Sequence, residues 1–569
     1  MKLIIADYLA HVSERNSLDR IVPELLSMMG LNVMTSPSIG TRQFGVDVSA
    51  VGMLPGDKKE YVYLFTIKSG DVDRKTWDVG EQSLRTSINE ITSEYVNTKI
   101  PAEHKGKPIK ICICFGGKIK ENIAPVVRNY LMGEQKRLRL QKIKFEEWNG
   151  DKVAGYILKY FMSERLLPVK GQNLLRKSLA MCAFPEISIS CFNQFSSEVL
   201  GDSPKTQMVR LKRARLVLLG ACVLATHAIE CGNLESSLSA IEVNTLRLWE
   251  YLHIGKYVRN GRSIPSAAYS IITSLYQLYL DIGTMYADKI LPYCAERFSF
   301  AIACNVNNEV DVNLATFKAL GRLSSLGLCA IGLSDVLKVV APQYSASMRS
   351  LATRVSNVVI GLIVNNPTSF LPIQDSFSVD ISLAMYFMAR MGNFKGIEWW
   401  LQGMCEQMSV AFWEGRAVPA LHLEYGELLD HVGQMHDSDY INEILPSSEL
   451  FPYCMYVSVA IKADKAWKVL ESFVEKYLKG CDFQMWFPNE NTEASFYGSK
   501  IIDGTQLCSL PHNNRKEFIR RIVNEFEQVN TKQMPSCMTG IFAGLFMIGC
   551  YVNRVCVPAF CWNKIDVQS

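Results

Sequence analysis

Over the first 165 residues the spacing of apolar positions switches repeatedly between a helical and a strand-like period. Leu18, Ile21, Val22, Leu25 and Met29 recur at helical spacing and Gly30 follows as a C-cap, so residues 18–29 read as an amphipathic helix. "LNVMTS" (31–36) and "GVDVSAVG" (45–52) then alternate apolar with polar residues, and "EYVYLFTIK" (60–68) is rich in β-branched and aromatic types. These predict three strands, with "DKK" (57–59) as a hairpin turn. A helix is expected over 79–96 and a strand covered on both faces at "PIKICICFGG" (108–117). A basic helix, "RNYLMGEQKRLRLQ" (128–141), a strand, "KIKFEEWNGD" (142–151), and a helix, "KVAGYILKYFM" (152–162), complete the order.

After about residue 165 the alternation fades and long apolar helical runs take over, at 213–230, 314–341, 354–364 and 380–392, without a fixed repeat period. Two loop-rich stretches, 365–378 and 485–504, interrupt them. The second concentrates Trp486, Phe487, Phe496 and Tyr497 with Glu490 and Glu493, which suits either a partner-binding element or packing against the helices. The pattern predicts an α+β or α/β domain over 1–165, with a central mixed sheet flanked by helices, followed by an all-α helical array over 166–569. A chain of 569 residues is too long for one core, in keeping with two domains.

Charge and cysteine usage sharpen this picture. Residues 1–170 carry 26 Lys and Arg against 20 Asp and Glu, while the remainder is slightly acidic, so a polyanionic partner is expected at the N-terminal part. The 17 Cys include no C-x-x-C pair and no zinc-finger spacing, which points to a reducing, cytoplasmic setting. The N-terminal apolar run is interrupted at Asp7, unlike a signal peptide. The apolar stretch 538–552 is cut by Asn553, Arg554 and Pro558 and reads as a buried core helix, so no membrane partner is expected. "CFGGKIKEN" (114–122) lacks the spacing of a phosphate-wrapping P-loop and is taken as a strand-to-helix turn. His431 and His436 are five apart and do not share a helix face, so no metal is expected there.

Two charges stand out because they interrupt apolar runs: Asp47 in "GVD" and Lys68 at the end of "FTIK". The order of helix, strand with G-x-D, hairpin, strand ending x-x-K, helix, strand resembles the core of the PD-(D/E)xK, or restriction-endonuclease-like, nuclease superfamily, over residues 10–160. The resemblance implies a Mg²⁺ or Mn²⁺ site in which Asp47 and the backbone carbonyl of Ile67 are ligands and Lys68 supports the attacking water. A phosphodiester is already anionic, so this chemistry needs a metal ion to acidify the water and to offset charge on the phosphate.

The family places an acid two residues before the lysine, where this chain has Thr66. Some relatives recruit a carboxylate from the first helix instead, which makes Asp19 the first candidate substitute, with Glu14 as the alternative. Glu81 and Gln82 could approach from the other side. "KRLRLQKIK" (136–144) supplies Lys136, Arg137 and Arg139 for contact with DNA near the active site, or simply a solvated basic helix face.

The resemblance thus implies a metal-dependent DNA endonuclease. It lacks a motor or a sequence-reading module of its own, so it needs control by its helical domain, by homo-oligomerisation, or by a separate ATPase or sensor protein, as in bacterial anti-phage defence effectors. The alternative is a catalytically inactive DNA-binding or scaffold subunit. A third possibility is a helical interaction protein whose N-terminal domain only docks.

Overall fold

The computed structural model describes residues 9, 18–35, 44–80, 83–138, 142–161, 169–202, 204, 206–304, 308–498, 502–528, 534–538 and 540–564. The chain divides into two compact units, one of Met1–Asn244 with Pro265–Tyr279, the other of Thr245–Ile264 with Leu280–Ser569.

In the first unit, helix α1 (Asp19–Met28) buries Ile21, Val22, Leu25, Leu26 and Met28 and stops at Gly30, which adopts a left-handed φ of +91°. Strands β1 (Asn32–Thr35), β2 (Val48–Gly52), β3 (Tyr61–Lys68), β4 (Ile109–Phe115) and β5 (Ile143–Trp148) form one sheet in that order. The connection over 53–60 joins β2 to β3 as a hairpin, and that pair is antiparallel. The links from β3 to β4 and from β4 to β5 carry helices α2 (Leu84–Glu90) and α3 (Ala124–Arg137), and those pairs are parallel.

All eight residues of β3 are buried, as expected of a strand covered on both faces. Val62, Leu64, Ile109, Ile111 and Ile143 pack beneath Ile91, Tyr95 and Ile100. Ile113 and Phe115 continue that face beneath Trp77, Leu84 and Ile88. The helix expected from residue 79 begins only at Leu84, because Gly80 is left-handed and the Ser83 side chain accepts from the Thr86 amide as an N-cap. It then widens into a π turn over Ile91–Tyr95.

Helices α4 (Gly150–Tyr156), α5 (Val169–Ala180), α6 (Pro185–Leu200) and α7 (Gln207–Glu230) belong to the same unit, which runs past residue 165 to Asn244. Glu24 of α1 is buried and ion-paired with Arg215 of α7, and the Ser270 hydroxyl donates to it at 3.4 Å.

The second unit is dominated by helices α8 (Glu309–Leu337), α9 (Pro342–Asn365), α10 (Ser378–Arg390), α11 (Leu450–Ala460) and α12 (Ala543–Asn553). A mixed sheet with flanking helices, followed by a large helical region, is therefore the observed architecture. Helix α8 is long and apolar enough to cross a membrane by composition, but 78% of its apolar window is buried within the protein. The aromatic stretch after residue 485 is packed rather than displayed. Met485–Phe487 pairs with Thr505–Leu507, and Trp486, Phe487, Phe496 and Tyr497 are all buried.

Candidate active site

The G-x-D sequence is held by close backbone packing. Gly45 has φ +76°, and a Cβ there would lie 2.3 Å from the Ser87 carbonyl oxygen of α2, so only glycine lets the chain pass. Two residues on, the Asp47 amide donates to the Phe65 carbonyl at 2.8 Å, and Asp47 Oδ2 accepts the Ile67 amide at 2.6 Å. The carboxylate thus takes the place of a ladder carbonyl at the end of β2 and is fixed against the residue that precedes Lys68.

The β2–β3 register pairs Val48 with Phe65, so one step further places Asp47 opposite Thr66. Thr66 lies on the face of Val62 and Leu64 and is fully buried, and its hydroxyl has no hydrogen-bond partner. Lys68 closes the same face at the C-terminal end of β3 with only 8% of its surface exposed. A lysine so covered keeps its stem in apolar surroundings and brings a compact charge to the strand end.

Asp47, Thr66, Ile67 and Lys68 are therefore brought together, with Ile67 meeting Asp47 through its amide. Asp19 lies on α1, but its side chain, like Glu14, Glu81, Gln82 and Arg139, lies outside the described residues. Lys136 and Arg137 end α3, which returns to the other end of the sheet. Lys136 lines a groove with Tyr61, Pro108 and Ile143, at the starts of β3, β4 and β5. Seven strand steps separate Tyr61 from Lys68, about 23 Å at about 3.3 Å per residue. The structure thus does not place Lys136 beside Lys68. Arg137 is held by Glu134, with Nε and Nη2 at 3.0 and 2.5 Å from Oε2.

Among the described residues no group of three or more His, Cys, Asp or Glu side chains is arranged to hold a metal ion. Among the described residues the donor set at the Asp47 end is one carboxylate and one neutral, fully buried hydroxyl. It fits a magnesium ion bound through a single protein carboxylate with water completing its shell, and it does not fit an ion caged by protein alone.

The opposite face of the sheet carries an ionic chain that strand patterning alone does not reveal. Lys110 Nζ lies 2.5 Å from Asp57 Oδ1 and 3.0 Å from Glu146 Oε2, and Glu146 Oε1 accepts from Lys152 at 2.7 Å and Trp148 Nε1 at 3.2 Å. The Tyr63 hydroxyl donates to Asp57 Oδ2 at 2.5 Å. Burial and the Asp57 carboxylate push the Tyr63 pKa up. Burial alone would raise Glu146, but Lys152 and Lys110 outweigh it and hold the carboxyl below its ordinary value. The visible signal is a charge inside each apolar strand, Lys110 in "IKICICF" and Glu146 in "IKFEEW".

In the second unit a polar cavity of about 440 Å³ is lined by Asp375, His422, Glu449, Gln484, Gln506 and Arg554, among others. Asp375 caps the start of α11, accepting from the Ser448 hydroxyl and from the Glu449 amide at 2.8 Å. Burial pushes its pKa up to about 6. His431 and His436 stack on one another, His436 stacks on Tyr440, and His431 lies tilted to that ring.

No protein-family model, curated protein or solved structure matches this chain.

Proposed function

We propose that the chain is a metal-dependent DNA endonuclease of the restriction-endonuclease-like kind, acting at the Asp47–Lys68 end of the sheet. One observation supports this above the others: two charges 21 residues apart in sequence lie at the same end of neighbouring strands, and the Asp47 carboxylate is pinned by the amide of the residue before Lys68. A bound Mg²⁺ or Mn²⁺ supplies an acidified water and offsets charge on the phosphate. Asp47 would hold that ion, kept in place by the Ile67 amide. Lys68, positioned by strand pairing and short of solvent, orients the water and stabilises negative charge at the phosphate as the bond breaks. A neutral Thr66 leaves the carboxylate count at this end low, which favours a loosely held ion that binds with the nucleic acid. Asp19, with Glu14 as the alternative, remains the proposed source of a second carboxylate.

A cytoplasmic nuclease with these parts needs restraint, and we assign that to the helical region, through self-association or a separate ATPase or sensor protein, in the manner of an anti-phage effector. Incubating the full chain with plasmid, linear and single-stranded DNA in Mg²⁺ or Mn²⁺ tests the reading. Cutting that disappears in Lys68→Ala and Asp47→Asn is expected; no cutting under any of these conditions would sink it. Thr66 supports the second reading, an inactive DNA-binding or scaffold subunit, because it is fully buried where the family carries an acid. Duplex binding without cutting under any of these conditions would favour that reading.

A further inference from the structure

Five lysines converge on one groove at the N-terminal ends of the parallel strands. Lys58 and Lys59 come from the β2–β3 hairpin, Lys136 from the last turn of α3, and Lys142 and Lys144 from the start of β5. The groove has a volume of about 830 Å³. All five lysines are exposed, and none forms an ion pair with a described residue.

Among the described lining residues Asp57 is the single carboxylate, and it is already committed: Lys110 holds one oxygen and the Tyr63 hydroxyl the other. The groove is therefore cationic without internal neutralisation. Crowding five like charges costs folding free energy unless an anion answers them. The backbone adds a second indication, since Lys142 stands at φ +57°, a conformation that non-glycine residues seldom adopt, while its carbonyl accepts the Ile109 amide at 3.3 Å. The strained turn keeps Lys142 and Lys144 on the rim.

From this geometry we infer that the groove is a docking surface for the phosphodiester backbone of double-stranded nucleic acid, separate from the Asp47–Lys68 end. Lysines are point charges without the planar fork of arginine, so they suit sequence-independent contact with a row of phosphates. The groove is concave and its lysines come from three segments, which fits a rod-like polyanion better than a flat lipid surface. Tyr61, the aromatic side chain in the lining, is buried and does not offer a stacking face for unpaired bases. This assignment does not depend on cleavage at Asp47.

The test uses the full chain in EDTA, with a fluorescently labelled 20-base-pair duplex titrated at several salt concentrations. A variant carrying Lys58→Gln, Lys59→Gln, Lys136→Gln, Lys142→Gln and Lys144→Gln should bind at least about tenfold more weakly. Its slope of log K against log salt should also be shallower by several units, at about 0.9 for each phosphate that is no longer neutralised. The matched five-site Lys→Arg variant should restore both. The proposal is overturned if the Gln variant keeps its affinity and slope while its thermal melt matches the parent. It is equally overturned if tripolyphosphate competes as well as duplex at equal phosphate, which marks a small-anion site, or if anionic vesicles bind and duplex does not. Should the Gln variant fail to fold, the pair Lys58→Gln and Lys59→Gln alone, on its exposed hairpin, should still reduce the slope by one to two; an unchanged slope there overturns the proposal too.

Discussion

Asp47 does two jobs, and substitutions separate them. Asp47→Asn keeps an acceptor for the Ile67 amide and removes the charge, so cutting should vanish while the melting temperature barely moves. Asp47→Ala also orphans a buried amide, which costs about 1–3 kcal/mol, so its unfolding midpoint in urea should fall as well. Thr66 behaves in the opposite way. Its hydroxyl is buried without a partner, so Thr66→Val should stabilise the protein by on the order of 1 kcal/mol in the same assay. Sequence alone does not decide whether Thr66 is a site residue or a plain strand former, because propensity does not say what covers a strand's face.

Nothing in the sequence marks Asp375, since one acid in a loop looks solvated until the fold closes over it. Its folded pKa of about 6 exceeds the ordinary value of 3.8, so the folded chain binds the extra proton between those values. Stability should therefore fall as pH rises through that window and level off above it, by on the order of 3 kcal/mol from this group. Comparing melts of the parent and Asp375→Asn from pH 4 to pH 7 isolates the effect, because the difference between them should narrow toward low pH.

At the level of elements, the helix–strand order is legible because β2, β3 and β4 carry strong period-two or continuous apolar signals, and α1 a clear helical stripe. Boundaries are less so. Ser83 capping and Gly80 move the start of α2, and capping is a matter of local backbone geometry as much as composition. The basic groove is partly visible as "KRLRLQKIK", but its true partners, Lys58 and Lys59, lie roughly 80 residues away and join it only through strand pairing. The close approach of Gly45 to α2 gives a direct test of how elements position the site. Gly45→Ala adds a methyl group 2.3 Å from a carbonyl oxygen, at φ +76°, so something must move. A loss on the order of 3 kcal/mol in thermal or urea unfolding is expected. Cutting should drop with it, because Asp47 is two residues away, while duplex affinity through the groove should persist.

For the whole molecule, the first compact unit extends through α7 and takes in Pro265–Tyr279. A fragment ending at residue 165 would remove Arg215 together with Leu218 and Leu219 of α7, which line the same small pocket as Ile21 and Glu24 of α1, so apolar surface of α1 would be left open to water. Residues 1–165 should therefore melt at a lower temperature than residues 1–279 by circular dichroism; equal melting would show that α1 and the sheet need nothing from α7. The parallel pairing of β3 and β4 has a consequence for synthesis. Val62 pairs with Ile109, 47 residues later, so at about 5–20 residues per second the ribosome releases β3 roughly 2–10 seconds before its partner. During that interval "YVYLFTIK", without proline and with a single charge at its end, is an unshielded adhesive segment among neighbouring nascent chains. Slowed translation at low temperature, or a holdase chaperone near the tunnel exit, would decide how much of the protein escapes inclusion bodies.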